Sequence, residues 1–132
     1  MRRIVLDPGV LVSALITPAG APARVLGEAR DGRFELIVSP HLLDELEGVL
    51  EREKFRRYVD IETVREYIET LRREARVVPD PEAEPPLRCA DPDDDYLIAL
   101  AHSENATLVS GDGHLLDLGP AGVPVVAPVE LL

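Results

Sequence analysis

The sequence predicts an α/β fold: a single three-layer domain over residues 1–132, in which a central parallel sheet of four to five strands carries helices on both faces. Three observations support this prediction. Short apolar runs recur along the chain, segments with helical spacing lie between them, and the two kinds of segment alternate throughout. Because such alternation is typical of crossover connections, the strands are expected to run parallel. A length of 132 residues fits one domain with a substantial core.

Four segments have the character of short buried strands, because each holds a brief apolar run bounded by charged, proline or glycine residues. They are RRIVLD (2–7), FELIVSP (34–40), ATLVSGD (106–112) and VPVVAP (123–128). The segment ARVVPD (75–80) is a candidate fifth strand.

Four further segments have helical spacing, and they are residues 22–30, 40–52, 62–75 and 93–103. The second is the best defined, because Ser39 can cap it and Pro40 suits its first position. Its leucines and valine form one apolar arc, from which Asp44 points away. Glu45 and Glu47 border the two sides of that arc, so the spacing does not distinguish between these two glutamates.

The composition excludes several classes of protein. A formal net charge of −11 argues against a protein that holds nucleic acid through a general basic field. Arginine-rich stretches at 52–57 and 65–76 could form a local basic face, although pairing with nearby glutamates is the simpler explanation. No apolar run reaches the length of a membrane span, and Asp7 interrupts the first apolar run too early for a secretory signal. We therefore expect a cytoplasmic protein with no membrane partner.

Acidic residues gather where an open parallel sheet binds its ligands, which is beyond the carboxyl ends of the strands. Asp7 directly follows the first strand and Asp112 follows the run TLVS. Four aspartates occupy the five positions 91–95, after a proline-rich loop at 79–92 and at the start of a helix that is apolar on almost every side. Single acids at such places are ordinary helix caps. Carboxylates held together beside apolar surface instead indicate a hard divalent cation, Mg²⁺ or Mn²⁺.

Four stretches of the chain, in their order and spacing, resemble PIN-domain nucleases, in particular the toxin–antitoxin branch related to VapC-type toxins. The stretches are RRIVLDPGVLVSAL, LIVSPHLLDELEGVL, CADPDDDYLIALA and ATLVSGDGHLL. The resemblance spans nearly the whole chain. It implies a hydrolase, namely an endoribonuclease that uses Mg²⁺ or Mn²⁺ to cleave the phosphodiester bonds of single-stranded RNA. It also implies a cognate antitoxin protein as partner and a homodimer.

The resemblance also assigns the catalytic acids, which are Asp7, Glu45, Asp95 and Asp112. It selects Asp95 over the neighbouring aspartates and Glu45 over Glu47. The three aspartates are the expected metal ligands. Glu45 is expected either to ligate a second ion or to position the attacking water.

Residues around these acids are expected to orient them. Asp91 and Asp94 are candidates for this supporting role, and Ser110 stands where threonine is common before the last acid of the family. One departure affects the activity: the first motif of such proteins usually reads Asp-Thr-Asn, whereas here Pro8 and Gly9 follow the acid. The missing polar side chains lead to an alternative function, a degenerate PIN domain with little or no catalysis that acts as a binding module.

The other reactive residue types have no catalytic pattern. His41, His102 and His114 lack the spacing of metal ligands and are expected to serve the structure. A lone cysteine, Cys89, excludes an internal disulfide framework. Aspartyl-phosphate proteins also carry an acid after the first strand, but they resemble this chain less, because they need a late lysine and its only lysine is Lys54.

Overall fold

A computed structural model describes residues 2–82, 95–111 and 123–132 of the chain. In this part of the chain five strands form one parallel sheet in the order β3-β2-β1-β4-β5. The strands are β1 (Arg2–Leu6), β2 (Phe34–Val38), β3 (Arg76–Val77), β4 (Thr107–Val109) and β5 (Val125–Val126). The helices are α1 (Pro8–Ile16), α2 (Ala21–Arg30), α3 (Pro40–Leu50), α4 (Ile61–Glu74) and α5 (Asp95–Ser103). The predicted α/β class is thereby confirmed, and so are all four predicted strands and the candidate fifth.

The register of the sheet places its strand ends at one edge. β1 lies at the centre, where Ile4 pairs with Leu36 of β2 and Leu6 pairs with Val109 of β4. All four neighbouring pairs are parallel, so every strand ends at the same edge of the sheet. We call it the carboxyl edge. The residue that follows β1, Asp7, and the residue that follows β4, Ser110, therefore meet there.

The core is built on the central strands, which are buried on both faces. Successive side chains of a strand point to opposite sides, so a run without any exposed residue must be covered on both sides. Ile4, Val5 and Leu6 of β1 are all 0% exposed, and the end of β2 and most of β4 are buried in the same way. This burial explains why the central strands appear in the sequence as continuous apolar runs rather than alternating ones.

The predicted helices at 22–30, 40–52 and 62–75 correspond to α2, α3 and α4. α3 ends at Leu50, two residues earlier than predicted, because the chain turns there and continues into a short 3-10 helix at Glu53–Phe55. Ser39 caps α3 as expected, accepting a hydrogen bond from the backbone N–H of Leu42 at 3.3 Å. The helix predicted at 93–103 is α5, whose described part begins at Asp95.

The sequence did not predict α1, which is a correction to the prediction. The helix begins directly after β1, with Asp7 as its cap and Pro8 at its first position. Val10, Leu11 and Val12 are all buried, as is most of the rest of the helix. An amphipathic stripe forms only when one side of a helix faces water. Because α1 is covered on nearly all sides, its sequence lacks the periodicity by which the other helices were recognised.

No single helix in the described ranges is both long and apolar enough to cross a membrane. α1 and α2 meet the length and composition criteria only when taken together, and they are bent by 96° relative to each other.

Candidate active site

Asp7 is a buried carboxylate at the carboxyl edge, only 3% exposed. Its position is fixed by its backbone, whose N–H donates to the carbonyl of Val109 at 3.0 Å and extends the pairing of β1 with β4. Among the described residues, two donors fix its side chain. The backbone N–H of Val10, in the first turn of α1, donates to Oδ1 at 2.7 Å, and the Ser110 hydroxyl donates to Oδ2. Such charge-assisted hydrogen bonds hold a carboxylate in one orientation.

Ser110 reaches Asp7 because β1 and β4 are neighbours in the sheet. It is 0% exposed, and its own N–H donates to the carbonyl of Val126 at 3.0 Å. Two residues that are 103 positions apart in the sequence are thereby brought into contact. The sequence predicted a supporting role for this serine, and the structure supplies the contact by which it would act.

Glu45 lies in the second turn of α3, and its side chain is 34% exposed. Its Oε2 accepts a hydrogen bond from the hydroxyl of Tyr96, in the first turn of α5. The Nε2 of His41, one turn earlier on α3, lies 3.9 Å from the same oxygen. The rings of His41 and Tyr96 stack, with their centroids 4.0 Å apart and an angle of 30° between their planes.

This arrangement, which we call the His41–Tyr96–Glu45 cluster, was missed by the sequence analysis. His41 was expected to be structural, and Tyr96 was given no role. Two signals could have identified them: His41 is four residues before Glu45 on the same helix, and Tyr96 follows Asp95 directly. The competing glutamate, Glu47, is also half-buried, but the bond to α5 is made by Glu45.

Asp95 begins α5 and is half-buried. α5 packs on β1 and β4 and leads back to the start of β4, so its first turn lies at the carboxyl edge. The bond between Tyr96 and Glu45 ties this turn to α3. The remaining predicted residues, Asp91, Asp94 and Asp112, lie outside the described residues.

Within residues 2–82, 95–111 and 123–132, no three His, Cys, Asp or Glu side chains are grouped in the way that a metal site requires. The chemistry of the predicted donors nevertheless fits Mg²⁺ or Mn²⁺, because Asp7, Glu45 and Asp95 offer only carboxylate oxygens and hard cations prefer oxygen ligands. The buried carboxylate of Asp7 is also already oriented by its two donors. The set of metal ligands therefore stays a prediction, and it includes Asp112 as an essential ligand.

Within the described part of the chain, two cavities open at the candidate acids. One, of about 420 Å³, runs from Asp7 along α1 and has mostly apolar walls. The other, of about 490 Å³, is lined by Pro40, His41, Asp44, Glu45 and Asp80. A third cavity, of about 570 Å³, lies away from these acids, between α2, α4 and the edge formed by β2 and β3.

Two residues of the arginine-rich stretches show the expected pairing with a glutamate. Arg72 lies 3.1 Å from Glu69 on the same helix, and Arg76 lies 3.5 Å from Glu35 on β2. Exposed pairs of this kind contribute little to stability, but they reduce the charge that these arginines present to a phosphate backbone.

Residues 3–114 match the family model described as "PIN domain". The chain is similar to the uncharacterized protein MJ1680 of Methanocaldococcus jannaschii, with 29% identity over 116 residues that cover 88% of this chain and 74% of that protein.

Two solved structures have a similar fold. One is VapBC2 from Rickettsia felis bound to a DNA fragment from their promoter, with a TM-score of 0.64, 16% identity, and coverage of 93% of this chain and 96% of that one. The other is PAE2754 from Pyrobaculum aerophilum, with a TM-score of 0.64, 18% identity, and coverage of 98% and 87%. At such identities the likeness concerns the fold.

Proposed function

This chain belongs to the PIN-domain family, and from that premise we propose that it is a metal-dependent endoribonuclease that hydrolyses phosphodiester bonds of single-stranded RNA. The family match supports a nuclease. The observation that carries the proposal is the placement of Asp7, a buried carboxylate held by two donors at the carboxyl edge of a parallel sheet. Besides the helix-capping bond from Val10, the carboxylate accepts a bond from Ser110, which restricts it to one orientation.

The residues that would hold Mg²⁺ or Mn²⁺ are Asp7, Asp95 and Asp112, with Glu45 either as a ligand of a second ion or as the group that positions the attacking water. When bound, such an ion neutralises charge on the scissile phosphate and lowers the pKa of a coordinated water. The contribution of the chain is orientation. Ser110 and the first turn of α1 fix the carboxylate of Asp7, so that less reorganisation is needed when a cation binds.

Glu45 would be oriented by the His41–Tyr96–Glu45 cluster. The Tyr96 hydroxyl occupies one lone pair of Oε2 and leaves Oε1 of the same carboxylate for a ligand or a water. The stacking of Tyr96 on His41 restricts the rotation of the phenol ring that carries this hydroxyl.

An alternative function, a degenerate PIN domain that binds a partner without cutting RNA, is favoured by the residues after Asp7. Pro8 is buried at the start of α1 and offers no side-chain polar atom. Gly9 has no side chain at a position where a Cβ atom would lie 3.4 Å from Oδ1 of Asp7. The polar groups that the family usually carries next to its first acid are therefore absent from this surface.

A protein partner is part of the proposal. The similar fold in VapBC2 from Rickettsia felis belongs to a complex bound to promoter DNA, and this supports a cognate antitoxin for the present chain. We further propose a homodimer and a cytoplasmic location. Co-expression with the protein encoded next to this chain, followed by co-purification, tests the partnership directly.

The nuclease proposal is tested by cleavage of single-stranded RNA with added Mn²⁺ or Mg²⁺. The wild type is compared with Asp7→Asn, Asp95→Asn and the control Asp31→Asn, which alters an exposed aspartate after α2, at the opposite edge of the sheet. We expect cleavage by the wild type and the control, and loss of cleavage in the two site variants and on addition of chelator. Negligible activity in all four proteins favours the degenerate module. Cleavage that survives both site substitutions overturns the assigned site.

A further inference from the structure

The departure after Asp7 coincides with an opening beside it. The cavity of about 420 Å³ begins at the carboxylate of Asp7 and passes Gly9 and Ser13 of α1. Because Gly9 has no side chain, nothing from that position separates the carboxylate from the cavity; a Cβ there would make van der Waals contact with Oδ1 at 3.4 Å. We call this cavity the Asp7 groove.

The walls of the Asp7 groove come from three elements. α1 contributes Val10, the first turn of α2 contributes Ala21 and Pro22, and a 3-10 helix at Pro128–Leu131 contributes its first two residues. Gly111, which follows Ser110 at the end of β4, also lines the groove. The surface that they present is mainly apolar. Val129 stands at the rim, and 64% of its surface is exposed.

The charges in this groove decide what can enter it. Among the described residues that line it, the only charged side chain is Asp7, and no arginine or lysine is present. A phosphate inside the groove would meet a carboxylate and no cation, which is unfavourable away from water. An uncharged group that is flat and apolar on its faces fits better, with the Ser13 hydroxyl available for one hydrogen bond. The volume lies within the roughly 300–1,000 Å³ of small-molecule sites.

We propose that the Asp7 groove is a subsite for the nucleobase that flanks the phosphodiester bond at Asp7. This inference rests on the proposed nuclease function, because it places the scissile phosphate at the acids and the neighbouring base against Val10, Pro22 and Val129. None of the described residues that line this groove is aromatic, so among them the base is held by aliphatic contacts rather than by stacking. Base preference then follows from the fit between the proline walls and from the hydrogen bond to Ser13.

The test uses the methyl signals of the 132-residue chain in NMR spectra, with Mg²⁺ present. The probes are AMP, CMP, GMP and UMP, and ribose 5-phosphate is the probe that lacks a base. We expect the methyl signals of Val10 and Val129 to shift with at least one nucleotide and not with ribose 5-phosphate. Equal shifts with ribose 5-phosphate, or none with any nucleotide, overturn the subsite.

Two substitutions on α2 make a matched pair. Ala21→Phe fills the Asp7 groove, whereas Ala29→Phe places the same ring in the cavity of about 570 Å³ away from the acids. Both alanines are half-buried. We expect Ala21→Phe to abolish the nucleotide-dependent shifts and Ala29→Phe to retain them. Identical behaviour of the two variants overturns the assignment.

A third variant keeps the proposal testable even if Ala21→Phe does not fold. Val129→Ala changes an exposed position, so the fold is expected to persist. Loss of apolar contact with the base should weaken nucleotide binding about fourfold. An unchanged affinity contradicts the assigned wall. If nucleotides cause base-dependent shifts in a protein that cleaves no RNA, the subsite stands and the nuclease proposal is overturned. If the protein cleaves RNA but shows no such shifts, the nuclease proposal stands and the subsite is overturned.

Discussion

Replacing Ser110 by alanine removes the hydroxyl that donates to the carboxylate of Asp7. The change is small in volume and lies where both partners are buried, Ser110 at 0% and Asp7 at 3% exposure. A hydrogen bond to a charged group contributes about 1.5–3 kcal/mol to stability when its loss leaves the charge less well solvated. We therefore expect the free energy of unfolding to fall by about 2 kcal/mol.

Urea denaturation followed by circular dichroism measures this loss. With a denaturant dependence of about 2 kcal/mol/M, the midpoint should fall by about 1 M with no change in slope. The control is Ser103→Ala, which removes the hydroxyl of an exposed serine that donates to the carbonyl of Leu100 at 3.0 Å, three residues earlier on the same helix. That bond competes with the helix backbone and has a neutral acceptor, so its loss should cost less than about 0.5 kcal/mol.

The same variant tests the supporting role of Ser110 in the nuclease. If the hydroxyl orients Asp7 for a cation, RNA cleavage should fall about ten- to a hundredfold in Ser110→Ala while Ser103→Ala stays near the wild type. Equal midpoints for the two variants would refute the energetic argument. Full activity in a destabilised Ser110→Ala protein would refute the orienting role and leave Ser110 as a structural residue.

Three further predictions follow from other contacts. Burial raises the pKa of Tyr67 above its usual value of 10.0, so the stability of the wild type should fall as the pH rises above about 10. Tyr67→Phe should lack this fall. An equal alkaline decrease in the urea midpoint of both proteins would contradict the prediction. The backbone N–H of Thr63 lowers the pKa of Asp60, the residue that caps α4. The stabilisation by this cap is therefore present above pH 3.8 and lost as the pH falls below it. Asp60→Ala should melt at a lower temperature than the wild type at pH 6, and the difference should shrink towards pH 3. Tyr96→Phe should lower kcat for RNA more than it raises KM, since it frees Glu45 without touching the substrate, and unchanged kcat would exclude the role of this cluster.

Much of the fold could be predicted from local patterns. The central strands are buried on both faces, so the sequence shows them as uninterrupted apolar runs, and α3 carries its own start signal in Ser39 and Pro40. Asp7 could be placed at the end of the first strand because it ends the apolar run of that strand. α1 could not be recognised, because its burial on nearly all sides removes the contrast between apolar and polar faces on which the prediction of helices depends.

The contacts within the candidate site were decided by the tertiary structure. Spacing on α3 left Glu45 and Glu47 equivalent, and the bond from Tyr96, which lies 51 positions further along the chain, is made to Glu45. The contact of Ser110 with Asp7 spans 103 positions and exists because β1 and β4 are adjacent. Helix caps and hydrophobic periodicity involve residues close together in the chain, so they can be recognised from the sequence. The partner of a carboxylate depends on which strands are adjacent, and that is determined only when the whole sheet assembles.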